Sequence, residues 1–341
     1  MKNSASIVSM LVLVFLITYL PPDRLFAQTS SGFKVTGVFH IASSGGWDYI
    51  AVGPDNNRLY VSHGTQVNVL DENSGDSVGV IPNTTGVHGI AFVTSLAKGY
   101  TSNGRLNNIT VFDLKSNAVL SQIAAGTNPD AIMYDPYSRL IITCNGRSND
   151  LSLIDPVTEK LVATIPVGGK PETAVSDEKG KIYINIEDKN EIISVDINLR
   201  QIINRWSLAP AEGPTGLAID LKNNRLFAGC EKTLVVLDAN SGKVIAKVTI
   251  GNGCDGVVFD PALGFAFASC GEGVLSIVRE TKNGVFELLE NVPTKASART
   301  SALNPRTHTI YLPAGEFQKP STPGTRPPLV PGTFQVLVVK R

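Results

Sequence analysis

The stretch Pro129–Gly146, PDAIMYDPYSRLIITCNG, decides the fold because the chain repeats it. Within it, Asp130 and Asp135 stand five residues apart, and each flanks a short apolar run. Segments that align with it begin at Asp48 (DYIAVGPDNNRLYVSH), His88 (HGIAFVTSLAKGYTSN), Glu172 (ETAVSDEKGKIYINI), Thr215 (TGLAIDLKNNRLFAGC), Asp255 (DGVVFDPALGFAFASC) and Arg299 (RTSALNPRTHTIYLPA). Together these are seven copies, at successive offsets of 40, 42, 42, 43, 40 and 44 residues, and the turns of the third and fourth copies look one residue short. Each of the first six copies continues into a second hairpin, such as LSLIDPVTEKLVATI after the third. Runs of Val, Ile, Leu and Phe broken by Asn, Ser, Gly and Pro clusters are strand and turn signals. Four short strands every ~42 residues is the period of a propeller blade.

The seventh copy supplies a third strand, Phe334 to Val339 (FQVLVV), and then the chain stops. The missing fourth is available at the other end, where KVTGVFHIASSGG from Lys34 matches KVIAKVTIGNG from Lys243. Pairing the two ends removes an exposed sheet edge. The expected architecture is therefore all-β, a single seven-bladed β-propeller over residues 28–341. Its blades begin near 47, 87, 129, 171, 214, 254 and 298, and strand 34–41 completes the last.

Residues 1–27 read differently. Lys2 is a thin basic start, Ile7 to Leu20 is almost wholly apolar, and Leu25-Phe26-Ala27 offers a small residue for cleavage. As a helix the apolar run is about 21 Å long, short of the ~30 Å hydrocarbon core. It reads as a cleaved secretory signal, so a periplasmic or secreted location is expected, with no membrane span after cleavage. Removal leaves 28 basic and 29 acidic residues. A general nucleic-acid binder needs a basic excess.

The phrases RLYVSH, GYTSN and KIYINI, the VLD hairpins and the link ATIPVGGKP together resemble the YVTN-repeat (YncE-like) β-propellers. The literal word YVTN is absent, and the alignment keeps its last Asn only at Asn103. WD40 and kelch propellers fit worse, because Trp-Asp and Gly-Gly signatures do not recur. The resemblance implies an extracytoplasmic propeller used mainly for binding. Some members bind single-stranded DNA, and similar propellers occur in surface-layer and electron-transfer proteins.

The repeat separates structural polar residues from candidate functional ones. Asp135 recurs as Asp177, Asp220 and Asp260, with Asn304 in the last copy, and Asp71, Asp113, Asp155, Asp196 and Asp238 recur at the third-strand turn. Asp and Asn stabilise such turns by accepting backbone N–H bonds. Asp130 belongs to the other end of its strand, about 16 Å away. Its repeat position holds Asp48, His88, Asp130, Glu172, Thr215, Asp255 and Arg299. That ring is polar throughout and varied in chemistry, which suits a ligand site at the channel mouth; a solvated rim of loop ends would look the same.

Second-strand ends approach the same mouth and add His63, Asn103, Asn145 and Glu187, the last two one residue into the loop. The oxygen-rich set Asp130, Asn145, Glu172 and Glu187 could hold Ca²⁺ or another divalent cation. Two histidines near carboxylates could instead bind a transition metal or act as general bases. His40 and His308 look structural. The acids Asp48, Asp130, Glu172, Glu187 and Asp255 face only Arg299, with Trp47 and Tyr49 nearby, and this opposes single-stranded DNA, which wants basic and aromatic surface.

Cys144, Cys230 and Cys270 fall at one repeat position, in different blades. Cys254 should face Cys270 across a hairpin, so a Cys254–Cys270 disulfide is expected, with Cys230 as the alternative partner or four free thiols as the other outcome. Blade 7 carries the one large insertion, Gly315 to Thr333, with five prolines that make it stiff and extended. It is expected to lie over part of the mouth and to bring Lys319 and Arg326 to it. The expected function is a monomeric exported binding or scaffold protein that engages a small molecule or protein partner at the mouth. A metal-dependent lactonase or hydrolase is the alternative.

Overall fold

A computed structural model describes residues 30–54, 57–318 and 327–341. Residues 1–27, read above as a secretory signal, and both Lys319 and Arg326 lie outside the described residues. Seven four-stranded antiparallel sheets follow one another along the chain. Six are built from consecutive strands; the seventh takes Lys34–His40 as its outermost strand, beside Gln335–Lys340, Thr309–Ala314 and Ala302–Asn304. The expected closure is thus met, with Lys34 opposite Lys340 and His40 opposite Gln335. Beyond that strand, the backbone N–H of Ser31 donates to Glu290 at 2.7 Å, and the Arg341 guanidinium lies over the Phe33 and Phe265 rings.

The repeat persists because every blade must bury the same two faces against its neighbours. Tyr60, Tyr100, Ile142, Tyr183, Phe227, Phe267 and Tyr311 each stand three residues before the end of the second-strand repeat and are fully or nearly fully buried. Apolar clusters bridge adjacent blades, as Ile142, Leu153 and Ile165 do with Ile184 and Ile193. Burying one such side chain stabilises by about 1.5–3 kcal/mol. The core is therefore a ring of inter-blade layers around a channel.

The innermost strands are Ile50–Val52, Val87–Val93, Pro129–Asp135, Pro171–Ser176, Leu217–Asp220, Cys254–Asp260 and Ala302–Asn304. On one face, the repeated aspartates do the expected turn chemistry. Asp71 accepts from the N–H groups of Asn73 and Ser74, and Asp155 from those of Val157 and Thr158. Several also tie neighbouring blades together, which the repeat alone did not reveal. The Ser176 hydroxyl donates to Asp135 at 2.6 Å, His308 Nδ1 pairs with Asp260 at 2.6 Å, and Asn304 donates to Glu72.

The third copy's turn is of ordinary length, whereas the fourth is one residue short. Tyr134 pairs with Ile141 and Ile219 with Leu226, seven residues on in each case, but Ser176, at the same repeat position, pairs with Ile182, six residues on. Two expectations change with that one residue. Asn145 is the last residue of its strand and holds the Asn of the repeat word, as Asn103 does. Cys144 stands one position earlier than Cys230 and Cys270, at the place of Ser62, Ser102 and Ser269.

Cys254 and Cys270 are register partners, as expected, but the expected bridge is not formed: all four cysteines are buried free thiols. Burial pushes the Cys144 thiol up, and the hydrogen bond with Cys270, then burial, pushes up that of Cys254, so neither is activated.

Candidate functional site

The ring residues are brought to the mouth by a recurring defect in the innermost strand. In blades 2, 3, 4 and 6 that strand carries one extra residue beside His88, Asp130, Glu172 and Asp255. A bulge takes the residue out of the ladder and re-aims its side chain. In blades 1, 5 and 7 the strand starts later, so Asp48, Thr215 and Arg299 precede it.

Side chains from neighbouring strands then pin the ring's backbone. Thr300 Oγ1 donates to the Asp48 carbonyl at 2.6 Å across the closing seam, and Ser102 Oγ donates to the Asp130 carbonyl. Asn185 Nδ2 holds the Thr215 carbonyl at 3.1 Å, and Ser269 Oγ holds that of Arg299 at 2.7 Å. Three of the four, Ser102, Asn185 and Ser269, come from the position just before the second-strand end, a Ser/Asn recurrence that was legible in the repeat, whereas Thr300 directly follows Arg299.

The charged ring residues fall into two sets of ion pairs. His88 Nδ1 lies 2.6 Å from Asp48 Oδ2 and 3.6 Å from Asp130 Oδ1. Arg299 pairs with Asp255 and approaches Asp48 Oδ1 at 3.6 Å. Lys170, two residues before Glu172, contacts Glu172 at 2.7 Å and also Glu187. Sequence reasoning missed Lys170, although it stands next to last in the link ATIPVGGKP. A pocket of about 180 Å³ over the ring is lined by Asp48, Asp130, Glu172, Asp255 and Arg299, with Lys170 and Glu187. A wider cleft of about 570 Å³ adjoins it above blades 1 to 3, sharing Asp48 and Arg299 and adding His88, Arg105 and Arg147.

Not every expected residue takes part. His63 is fully buried; its Nε2 donates to the Gly45 carbonyl at 2.9 Å and its Nδ1 accepts from Ser43 at 2.8 Å. Burial lowers its pKa, which suits a neutral structural imidazole. Asn103 and Asn145 are likewise fully buried. Asn103 Nδ2 donates to Asn108 and Thr110 at 2.8 Å each, and Asn145 Nδ2 donates to Asp150 at 2.7 Å and Ser152 at 2.9 Å. Each accepts from the Thr two residues earlier. Asn103 and Asn145 therefore brace the strand that follows, His63 ties down the segment leading into blade 1, and none of the three joins the ring. Removing Asn145 breaks the four-residue oxygen set expected for Ca²⁺, and Lys170 already occupies Glu172 and Glu187.

Trp47 is also committed. It stacks on Phe334 with ring centres 5.0 Å apart and on Phe317 at 5.5 Å, where the base of the insertion begins. Phe317 bridges to Leu329, and the Gln318 N–H donates to the Pro328 carbonyl at 2.9 Å. A pocket lined by Trp47, Ser297, Arg299, Phe317 and Pro327 places this base beside the mouth. Tyr49 lies just inside the ring; burial first, then the acids around it, raise its pKa well above the usual phenol value.

The field of the site follows from burial and from like charges. Burial, then the Asp48 carboxylate, pushes Asp130 up to about 7. Burial, then Asp130, pushes Glu172 up to about 9, and burial also raises Asp255. Burial works against the charged forms of His88 and Lys170, but adjoining carboxylates outweigh it and raise both. Two carboxylates that resist ionisation mark a place where negative charge is undercompensated.

The fold defines the class: a seven-bladed β-propeller with an acidic mouth. No protein-family profile matches the chain, and no curated protein matches it. Among solved structures it is similar to a chain of hydrazine synthase from Kuenenia stuttgartiensis, at 16% identity and a TM-score of 0.70, covering 80% of this chain and 94% of that one. At that identity the likeness concerns the fold alone. Among the described residues, no helix is long and apolar enough to cross a membrane.

Proposed function

We propose that this chain is a binding propeller of the YncE-like kind its repeats resemble, exported from the cytoplasm, whose mouth takes a positively charged group. One observation carries the reading. Five carboxylates (Asp48, Asp130, Glu172, Glu187 and Asp255) converge on one pocket against two permanent cations, Lys170 and Arg299. Both cations are already engaged by carboxylates. A cation, or the ammonium or guanidinium of a small molecule or partner loop, relieves what burial and repulsion impose on Asp130 and Glu172. The same balance opposes single-stranded DNA, whose phosphates would meet this ring, and the nearby Trp47 ring is buried between Phe317 and Phe334.

Calorimetry and thermal-shift measurements with divalent cations and with alkylammonium and guanidinium compounds test this. Saturable binding that is weakened at least tenfold in the double variant Asp130→Asn, Glu172→Gln is expected. Equal binding by the double variant, or none by the wild type, would sink the reading.

A second reading rests on His88. An imidazole that bonds one carboxylate and faces another is the arrangement of a general base, which fits a lactonase or hydrolase. Hydrolysis of simple lactones that disappears in His88→Ala would favour it.

A further inference from the structure

We propose that Asp48, His88 and Asp130 form a mononuclear site for a first-row transition-metal dication, with Zn²⁺ and Co²⁺ as its representatives. This rests on the reading of the mouth as a cation site and names the class of cation.

One potential ligand atom from each residue lies within 4.8 Å of the others: a carboxylate oxygen of Asp48, Nδ1 of His88 and a carboxylate oxygen of Asp130. Around a four-coordinate zinc, with bonds of ~2.0–2.2 Å, ligand atoms sit about 3.3 Å apart. The 2.6 Å and 3.6 Å separations about His88 bracket that value, so small side-chain rotations open the triangle. The three residues come from three successive blades. Two have pinned carbonyls, Asp48 by Thr300 and Asp130 by Ser102, and the Gly89 N–H beside His88 donates to the same Ser102 at 2.8 Å. The frame of the site is therefore set before any ion arrives.

Asp130 supplies the independent sign of a ligand. It is only 9% exposed and lines the mouth pocket. Among the described residues its carboxylate accepts no hydrogen bond, and its ion-pair contact with His88 is a long 3.6 Å. A buried carboxylate with no donor is costly unless a cation completes it. The nearby permanent cations are directed elsewhere, Arg299 to Asp255 and Lys170 to Glu172 and Glu187. Arg299 approaches the Asp48 oxygen opposite the one that faces His88.

Ligand type then selects the metal. One imidazole with two carboxylates suits Zn²⁺ or another transition dication, whereas Ca²⁺ wants six to eight oxygens. Three protein ligands leave at least one position open towards the mouth. His88 is further set by Gly104, where an added Cβ would come within 2.6 Å of Nε2. Gly104 thus offers a way to displace the imidazole without changing a ligand.

The test is equilibrium dialysis of the full-length mature protein against Zn²⁺, with elemental analysis, and titration with Co²⁺ followed by its visible absorption. One ion per chain is expected, with Co²⁺ bands at tetrahedral or five-coordinate intensity. Affinity should fall at least 100-fold in His88→Ala and Asp130→Asn, at least tenfold in Gly104→Ala, and less than threefold in Glu172→Gln. Asp130→Asn is near-isosteric, so it keeps the test open if His88→Ala fails to fold. Zn²⁺ binding unchanged in either ligand variant overturns the assignment. Absence of Zn²⁺ and Co²⁺ binding, with an alkylammonium probe still bound at the mouth, overturns this site and leaves the broader cation reading standing. If neither binds, both fall.

Discussion

Asn145 and Glu172 illustrate how differently two polar residues near one mouth can behave. Asn145 uses both its N–H groups and its side-chain oxygen inside its own hairpin, on Asp150, Ser152 and Thr143. Truncating it leaves buried partners unpaired, which costs about 1–3 kcal/mol. Asn145→Ala should therefore lower stability by roughly that amount in a denaturant titration, while mouth-ligand affinity stays within about twofold. Glu172 points the other way. Its folded-state pKa of about 9 exceeds the ordinary 4.5, so the native state retains a proton that the unfolded chain has lost between those values. The stability this contributes is full below pH 4.5 and is lost as pH rises towards 9. Glu172→Gln should flatten the fall in Tm across that window, with wild type and variant diverging by about 2 °C or more at its alkaline end. An unchanged pH slope would contradict the environment described for this carboxyl.

At the scale of elements, strand identity was legible because alternation and turn residues recur, but register was not. A one-residue difference in the turn of the fourth copy, unseen against the third, displaced Asn145 by a position and put Cys144 level with Cys230 and Cys270. Side chains alternate faces with every residue, so such a slip changes which way a residue looks. The bulges beside His88, Asp130, Glu172 and Asp255 have the same character: one extra residue that no pattern of apolar residues announces, and that carries the candidate site. The insertion is a separate matter. Its base is held by Phe317 stacked on Trp47, by the bridge to Leu329 and by the Val330 N–H bonded to the Glu316 carbonyl at 2.7 Å. Replacing residues 319–326 with a short Gly-Ser link should leave Tm within about 1 °C while changing affinity for a mouth ligand. A parallel loss of melting temperature and affinity would show that the segment supports the fold instead.

The whole molecule closes on itself, and that closure locates the site as much as any motif does. Asp48 belongs to the first blade, yet its carbonyl is held by Thr300 of the last and its carboxylate is approached by Arg299. The inter-blade apolar layers are extensive enough to account for the fold without a covalent staple, and Cys254 and Cys270 face each other as thiols. Denaturation without reductant should expose four alkylatable thiols by mass; only two would restore the Cys254–Cys270 bridge.

The amino-acid sequence by itself determined the seven blades, the closing strand and the turn role of Asp135. Each of these follows from a burden every blade shares: the same faces to bury and the same turns to make, at one period. It also placed Asp130 in a polar ring. Only the tertiary structure decided that Asp130 meets Asp48 and His88 from other blades, that Lys170 occupies Glu172 and Glu187, and that His63, Asn103 and Asn145 turn inwards. Those outcomes depend on bulges, single-residue registers and charge balance across blades, where residues some 40 positions apart in the chain become neighbours.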